Sequence, residues 1–80
     1  MKNRIFYKRI RELREDNDYT QAEIGKLLGI SQRGYAHYES GDYDMTGEIL
    51  ITLSKHYNTS VDYLLGITNE MTPYPKNIKK

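Results

Sequence analysis

The chain has 80 residues, of which 38% are apolar and 29% charged, and its formal net charge is only +1. A domain of this size buries only about 60% of the surface of its unfolded chain, which leaves little room for a deep catalytic pocket. The sequence contains no cysteine, so it has neither disulfides nor thiolate zinc sites, and helix packing must stabilise the fold. Short apolar runs and an N-terminus without a secretion signal predict a cytoplasmic protein with no membrane span.

The charges are distributed unevenly along the chain. Residues 1–14 contain six bases and one acid, residues 15–74 contain three bases and ten acids, and residues 75–80 add three lysines. Basic ends on an acidic middle segment indicate a polyanion partner less strongly than a uniformly basic domain would. Charge alone is equally consistent with ordinary solvated surfaces.

Two helices are predicted in the first third of the chain. The first runs from Asn3 to Asp16, with Asn3 as its N-cap. Its apolar residues recur at helical spacing: Phe6, Ile10 and Leu13. The second is predicted over residues 21–28, because Thr20 and Glu23 form a capping box at its start and Gly29 can end it.

Three further helices are predicted from capping residues and glycines. Ser31 begins the third helix, which runs to about Ser40. Thr46 caps the fourth, and Ser60 caps a short fifth helix that Gly66 follows. One face of the fourth helix carries Leu50, Leu53 and Tyr57.

These elements predict one domain over residues 1–67 and a polar tail over residues 68–80. We expect the tail to be mobile unless a second subunit orders it. Three tyrosines are candidates for an exposed interface: Tyr7, Tyr43 and Tyr74.

Only residues 29–31 separate the second helix from the third, so the two helices must cross steeply. Gly25 is predicted where they approach closely, since a larger side chain would push them apart. The side chains predicted to face inward around this turn are Ile24, Leu28, Ile30, Tyr35 and Tyr38.

The outward face of the third helix has an unusual composition. At 100° per residue, the side chains opposite the two tyrosines are Gln32, Arg33, Ala36, His37 and Ser40. In the major groove, glutamine can bond adenine and arginine can bond guanine in a bidentate way, and alanine can contact the thymine methyl group. Each good bidentate pair contributes roughly 1–3 kcal/mol of discrimination.

The segment from Gln21 to Ser40 resembles the helix-turn-helix of the phage Cro and repressor family, also called the XRE-like family. The match includes the small residue at Gly25, the turn glycine at Gly29 and the apolar positions around them. YESG at residues 38–41 and NTSVDYLLG at residues 58–66 resemble later segments of that family. The resemblance extends from about residue 4 to 66 and implies an all-α, five-helix, lambda-repressor-like DNA-binding domain.

The resemblance also implies roles on double-stranded DNA for individual side chains. The implied base readers are Gln32, Arg33, Ala36 and His37. The implied phosphate contacts are Thr20, Gln21, Ser40 and Arg14, and Arg14 is further implied to pair with Glu39. The loop of residues 42–44 departs from the family because it is acidic where the family is often basic, so we expect weaker phosphate contact there.

The predicted function is a sequence-specific transcriptional regulator, a repressor that binds a palindromic operator as a homodimer with its third helix in the major groove. The fifth helix and the tail, with Ile67 and Met71, are the expected dimer surface. The alternative is a protein-interaction module of the same fold, either antitoxin-like or an anti-repressor partner, which the acidic loop motivates. No residue spacing indicates an enzyme, a metal site, a cofactor or a small-molecule ligand.

Overall fold

The computed structural model describes residues 7–73, and five helices lie within them. They are α1 (Lys8–Asp16), α2 (Gln21–Leu28), α3 (Gln32–Glu39), α4 (Gly47–His56) and α5 (Val61–Leu64). The same stretch contains no β-strand. The predicted all-α fold is therefore confirmed, and α2 and α3 pack together as a helix-turn-helix.

The start of α1 differs from the prediction. Tyr7 precedes the helix with φ −86° and ψ 62°, so α1 begins at Lys8, while Asn3 and Phe6 lie outside the described residues. The prediction that Tyr7 is exposed is wrong, because its side chain is buried and its hydroxyl accepts a hydrogen bond from the Met45 backbone N–H at 3.2 Å. This tyrosine joins the start of α1 to the loop before α4.

Side-chain caps begin the other four helices, as the sequence predicts. The backbone N–H of the third residue of each helix donates to a hydroxyl oxygen at 3.0–3.1 Å, and these oxygens belong to Thr20, Ser31, Thr46 and Ser60. At α2, the Glu23 carboxylate also accepts from the Thr20 backbone N–H at 2.8 Å, which completes the capping box. Each cap satisfies an otherwise orphaned donor and contributes typically about 1 kcal/mol.

Two glycines shape the turn between α2 and α3. Gly29 ends α2 with φ 75°, a left-handed conformation that other residues rarely adopt. A Cβ atom at Gly25 would lie 3.0 Å from the backbone oxygens of Ile30 and Ser31, so only glycine fits without a backbone shift. The close approach predicted at Gly25 is confirmed.

The core draws on all five helices and on the residues that precede α1 and α4. Its buried apolar members are Tyr7, Ile10, Leu13, Ile24, Tyr35, Met45, Leu53, Tyr57 and Leu64. Three other residues predicted to face inward are partly buried and pack against this core: Leu28, Ile30 and Tyr38. Because the Tyr35 side chain is 0% exposed, α3 is held by its inner face and its opposite face is left open.

The first residues of the predicted tail contact the helical domain. The Arg9 guanidinium donates to the Thr68 backbone oxygen at 3.1 Å, and the Thr59 hydroxyl donates to the Met71 backbone oxygen. These bonds attach residues 68–71 to the helical domain at α1 and the α4–α5 turn. The boundary at residue 67 and the mobility of the tail stay predictions.

Candidate nucleic-acid interface

The outward face of α3 carries the four side chains predicted to read bases. Gln32 and Arg33 are exposed in the first turn, and Ala36 and His37 are partly exposed one turn later. At 100° per residue, Arg33 and His37 point away from the buried Tyr35, at about 160° from it, while Ala36 and Gln32 lie about 100° and 60° from it at the edge of the same open face. The structure therefore brings the predicted base readers together on one open surface.

His37 differs from the other three because it has partners in the following loop. Its Nδ1 atom lies 3.0 Å from Asp42 Oδ2, and its ring centroid lies 4.9 Å from that of Tyr43. The Ser40 hydroxyl can donate its one hydrogen either to the same Asp42 oxygen at 3.1 Å or to the His37 backbone oxygen at 3.2 Å. The loop thus folds back against the last turn of α3, yet the His37 side chain remains 37% exposed.

Behind this surface, the carboxylate of Glu39 joins three helices. It accepts hydrogen bonds from Arg14 Nε at 2.9 Å and Arg14 Nη2 at 3.1 Å, which form a bidentate pair with α1. It also accepts from the Tyr35 hydroxyl at 2.7 Å and from Gln21 Nε2 at 3.2 Å. Four donors to one buried carboxylate offset the loss of its hydration, so the arrangement holds α1, α2 and α3 in a fixed relation.

These contacts change how the groups ionise. Burial opposes the charge on Glu39, but the hydrogen bonds from Arg14, Tyr35 and Gln21 outweigh it and lower the pKa of the carboxyl. The hydrogen bond to Glu39 raises the pKa of Arg14 in spite of its desolvation. Burial, followed by the bond to Glu39, raises the pKa of Tyr35. The ion pair is therefore fully charged at neutral pH, and the tyrosine keeps its proton as a donor.

Three predicted phosphate contacts are accessible but already hydrogen-bonded within the protein. Thr20 is exposed and its hydroxyl oxygen caps α2, while Gln21 is the first residue of that helix and donates to Glu39. Ser40 is exposed at the end of α3 and donates to Asp42. The N-terminal turn of α2 adds backbone N–H groups and a partial positive charge, both of which favour a phosphate nearby.

Arg14, the fourth predicted phosphate contact, is mostly covered. Its side chain is 12% exposed, and besides its bonds to Glu39 its Nη1 atom donates to the Tyr19 backbone oxygen at 2.9 Å. It nevertheless reaches a shallow cleft of about 190 Å³ between α1, α2 and α3. The residues that line this cleft are Arg11, Arg14, Gln21, Ala36, Glu39 and Ser40.

A family model described as helix-turn-helix matches residues 10–64, which include most of α1 and all of α2 to α5. The chain belongs to the helix-turn-helix family. Its helix-turn-helix relatives include the transcriptional regulator ImmR of Bacillus subtilis, 41% identical over 59 residues, which cover 74% of this chain and 46% of ImmR. No solved structure gives a significant match.

Two further relatives extend the comparison. The uncharacterized helix-turn-helix transcriptional regulator YobD of Bacillus subtilis is 31% identical over 78 residues, which cover 95% of this chain and 70% of YobD. Repressor protein C2 of Salmonella phage P22 is 35% identical over 65 residues, which cover 81% of this chain and 30% of that repressor. The chain therefore spans less than half the length of ImmR and of C2, and about two thirds of YobD.

Two features of this helix-turn-helix surface were not predicted from the sequence. Arg11 lines the cleft beside Arg14, and their spacing of three residues on one helix face is the signal that could have indicated it. The contact of Asp42 and Tyr43 with His37 is the second feature. It has no local signal, because it depends on the path of the loop after Gly41.

The described part of this helix-turn-helix chain has neither a metal-binding cluster nor a membrane-spanning helix. Within residues 7–73, no group of three or more histidine, aspartate or glutamate side chains could hold a metal ion. None of the helices in this stretch is both long and hydrophobic enough to span a lipid bilayer. His56 packs against aromatic rings, with its ring centroid 5.0 Å from those of Tyr19 and Tyr57.

Proposed function

We propose that this helix-turn-helix protein is a sequence-specific transcriptional repressor that binds double-stranded DNA in the cytoplasm with α3 in the major groove. The observation that carries the proposal is the open face of α3, where Gln32 and Arg33 are exposed while the buried Tyr35 holds the helix from behind. Relatives named as a repressor and as transcriptional regulators support the same role.

The geometry of α3 suits the dimensions of B-DNA. A major groove about 12 Å wide admits an α-helix, and its floor presents the acceptor and donor edges that glutamine and arginine can bond in a bidentate way. Gln32 and Arg33 stand in the first turn of α3, the part of a recognition helix that contacts base edges. Gln21 and Thr20 begin α2, where they can contact the backbone beside that groove.

We further propose that the protein binds a palindromic operator as a homodimer. One helix-turn-helix reads too few base pairs for useful specificity, and two-fold pairing doubles the contacts. Exposed apolar side chains follow α5 and offer a surface for a second copy: Leu65, Ile67 and Met71. Ile67, at 70% exposed, is the most accessible of them.

Selection of bound duplexes from a random pool tests the proposal, together with affinities measured at several salt concentrations. The expected result is a symmetric site with half-sites about 10 base pairs apart, and an affinity that falls steeply with salt because phosphate contacts release counterions. A single asymmetric half-site bound by a monomer would contradict the homodimer. Absence of enrichment together with a flat salt dependence would contradict DNA binding itself.

The acidic loop after α3 favours one alternative, a protein-interaction module of the same fold. Asp42 and Asp44 are both exposed in the loop that follows α3, where they repel phosphates and would attract a basic protein surface. A flat salt dependence on random duplex, combined with tight binding of a purified basic partner, would favour this alternative.

A further inference from the structure

We propose that Asp42 is a positioning residue that fixes the tautomer of His37 and so determines which bases this histidine can read. The inference rests on the proposed DNA-binding function, and it adds a specificity determinant outside the recognition helix.

The contact geometry assigns the proton. His37 Nδ1 and Asp42 Oδ2 are 3.0 Å apart, which is hydrogen-bonding distance. An ionised carboxylate can only accept hydrogen bonds, so the shared hydrogen belongs to Nδ1. The Ser40 hydroxyl lies 3.1 Å from the same carboxylate oxygen and 3.2 Å from the His37 backbone oxygen, and its one hydrogen is shared between these two acceptors at the end of α3.

Tyr43 holds the ring from another direction. Its ring centroid lies 4.9 Å from that of His37 with an angle of 32° between the planes, and it meets Tyr38 edge-on at 5.2 Å. Since Tyr38 packs against the core, Tyr43 is supported from behind and limits rotation of the imidazole. The hydrogen bond and the ring contact together present one ring edge to Asp42 and leave the other for a base.

The assigned tautomer has a chemical consequence for DNA recognition. A neutral imidazole protonated at Nδ1 carries a lone pair at Nε2, so the free nitrogen of His37 is an acceptor. The only base donors in the major groove are the amino groups of cytosine and adenine, whereas guanine presents acceptors alone and thymine presents one acceptor and a methyl group. In its neutral form, His37 is therefore set to select cytosine or adenine at its position and to disfavour guanine and thymine.

Nitrogen-15 NMR of the imidazole ring in the free protein at pH 8 tests the tautomer without any DNA. We expect His37 to show a protonated Nδ1 and a bare Nε2, and Asp42→Ala to yield a mixture of both tautomers. Asp44→Ala is the matched control, because it removes the same charge from the same loop without touching His37, and it should leave the wild-type pattern. A wild-type ring protonated mainly at Nε2, or a pattern unchanged by Asp42→Ala, overturns the inference.

Selection from a random duplex pool at pH 8, the pH of the NMR measurement, tests the consequence for binding. The wild type should select cytosine or adenine at one position of each half-site. Asp42→Ala should raise the frequency of guanine or thymine there by about two- to tenfold, the range that one hydrogen bond supports, with the other positions unchanged. His37→Ala should remove the base preference at that position, both in the wild-type protein and in the Asp42→Ala variant. Asp44→Ala should preserve the preference.

The outcomes separate this inference from the proposed function. If the wild type enriches no duplex, the proposed function fails and the NMR result alone decides the tautomer. If the wild type enriches a site and Asp42→Ala selects the same base at the His37 position, the inference fails and DNA binding stands. If Asp42→Ala binds all duplexes more tightly without a change in base preference, the inference also fails. That result would show that Asp42 acts only through its charge.

Discussion

Arg14 Nε donates to Glu39 Oε2 at 2.9 Å, and this ion pair joins α1 to the last residue of α3. The two side chains are 12% and 4% exposed, so little water competes for the bond. Because Gln21 also donates to Glu39, α2 is tied to the same carboxylate. The position of the open face of α3 relative to α1 and α2 therefore depends on one buried charge.

Glu39→Gln should lower the free energy of unfolding by about 3 kcal/mol, because it leaves the Arg14 guanidinium without its counter-charge at a mostly buried site. Urea denaturation at neutral pH is the measurement. Glu15→Gln is the control, since that carboxylate also contacts Arg14 but is 53% exposed, and it should change stability by less than about 0.5 kcal/mol. Equal losses in the two variants would show that burial of the pair is unimportant.

The lowered pKa of Glu39 predicts a specific loss of stability in acid. A carboxyl whose pKa is lower in the folded state contributes stability that is complete above its ordinary pKa and is lost as the pH falls through the folded value. The wild type should therefore lose stability from about pH 5 downwards, and Glu39→Gln should lose less over the same range. The measurement is the free energy of unfolding of both proteins across this pH range. If the wild type and Glu39→Gln lost stability in parallel, the lowered pKa of Glu39 would be refuted.

Two buried tyrosines should respond in opposite ways to loss of the hydroxyl. The Tyr57 hydroxyl has no hydrogen-bond partner among residues 7–73, and burial raises the pKa of Tyr57 to about 12. Tyr57→Phe should leave stability unchanged or raise it by up to about 1 kcal/mol, since it removes a buried polar group without a partner. Tyr35→Phe breaks the bond to Glu39 and should lower stability by about 1.5 kcal/mol or more.

Thermal and urea unfolding of both phenylalanine variants measure this difference. A loss of stability in Tyr57→Phe as large as that in Tyr35→Phe would show that the Tyr57 hydroxyl has a partner.

Alanine should have opposite effects at two helical glycines. At Gly25 the new Cβ would lie 3.0 Å from two backbone oxygens of the α2–α3 turn, so Gly25→Ala should lower the free energy of unfolding by more than about 1 kcal/mol. At Gly47, the first residue of α4, nothing lies within 4 Å of the Cβ position, so Gly47→Ala should raise it by up to about 1 kcal/mol. Urea unfolding distinguishes them, and a Gly25→Ala variant as stable as wild type would contradict the close approach.

Arg33→Ala should reduce discrimination at one base pair of each half-site by about 1–3 kcal/mol at fixed salt, because a bidentate contact to guanine would be lost. Competition binding with site variants measures this effect. Lys55→Ala is the charge-matched control, because Lys55 is an exposed residue of α4 that lines a cleft beside the start of α5, and it should leave base preference unchanged. Wild-type affinity and preference in Arg33→Ala would contradict the proposed role of α3.

The amino-acid sequence by itself determined where most helices begin and end and which face of α3 is open. Capping hydroxyls such as Thr20 and Ser31 act on a backbone N–H only three residues away, and Gly29 ends α2 through its own φ angle. Helical periodicity likewise places Tyr35 opposite Arg33 and His37. Interactions of such short range are visible in a short stretch of sequence.

Only the tertiary structure decided which polar groups meet across the fold. Tyr7 packs into the core and its hydroxyl accepts from the backbone N–H of Met45, a residue 38 positions away, and no pattern within α1 indicates that contact. Asp42 reaches back to His37 because Gly41 turns the chain with φ 89°. Such contacts depend on how helices pack and how a loop is directed, and both are set by the whole core and not by neighbouring residues.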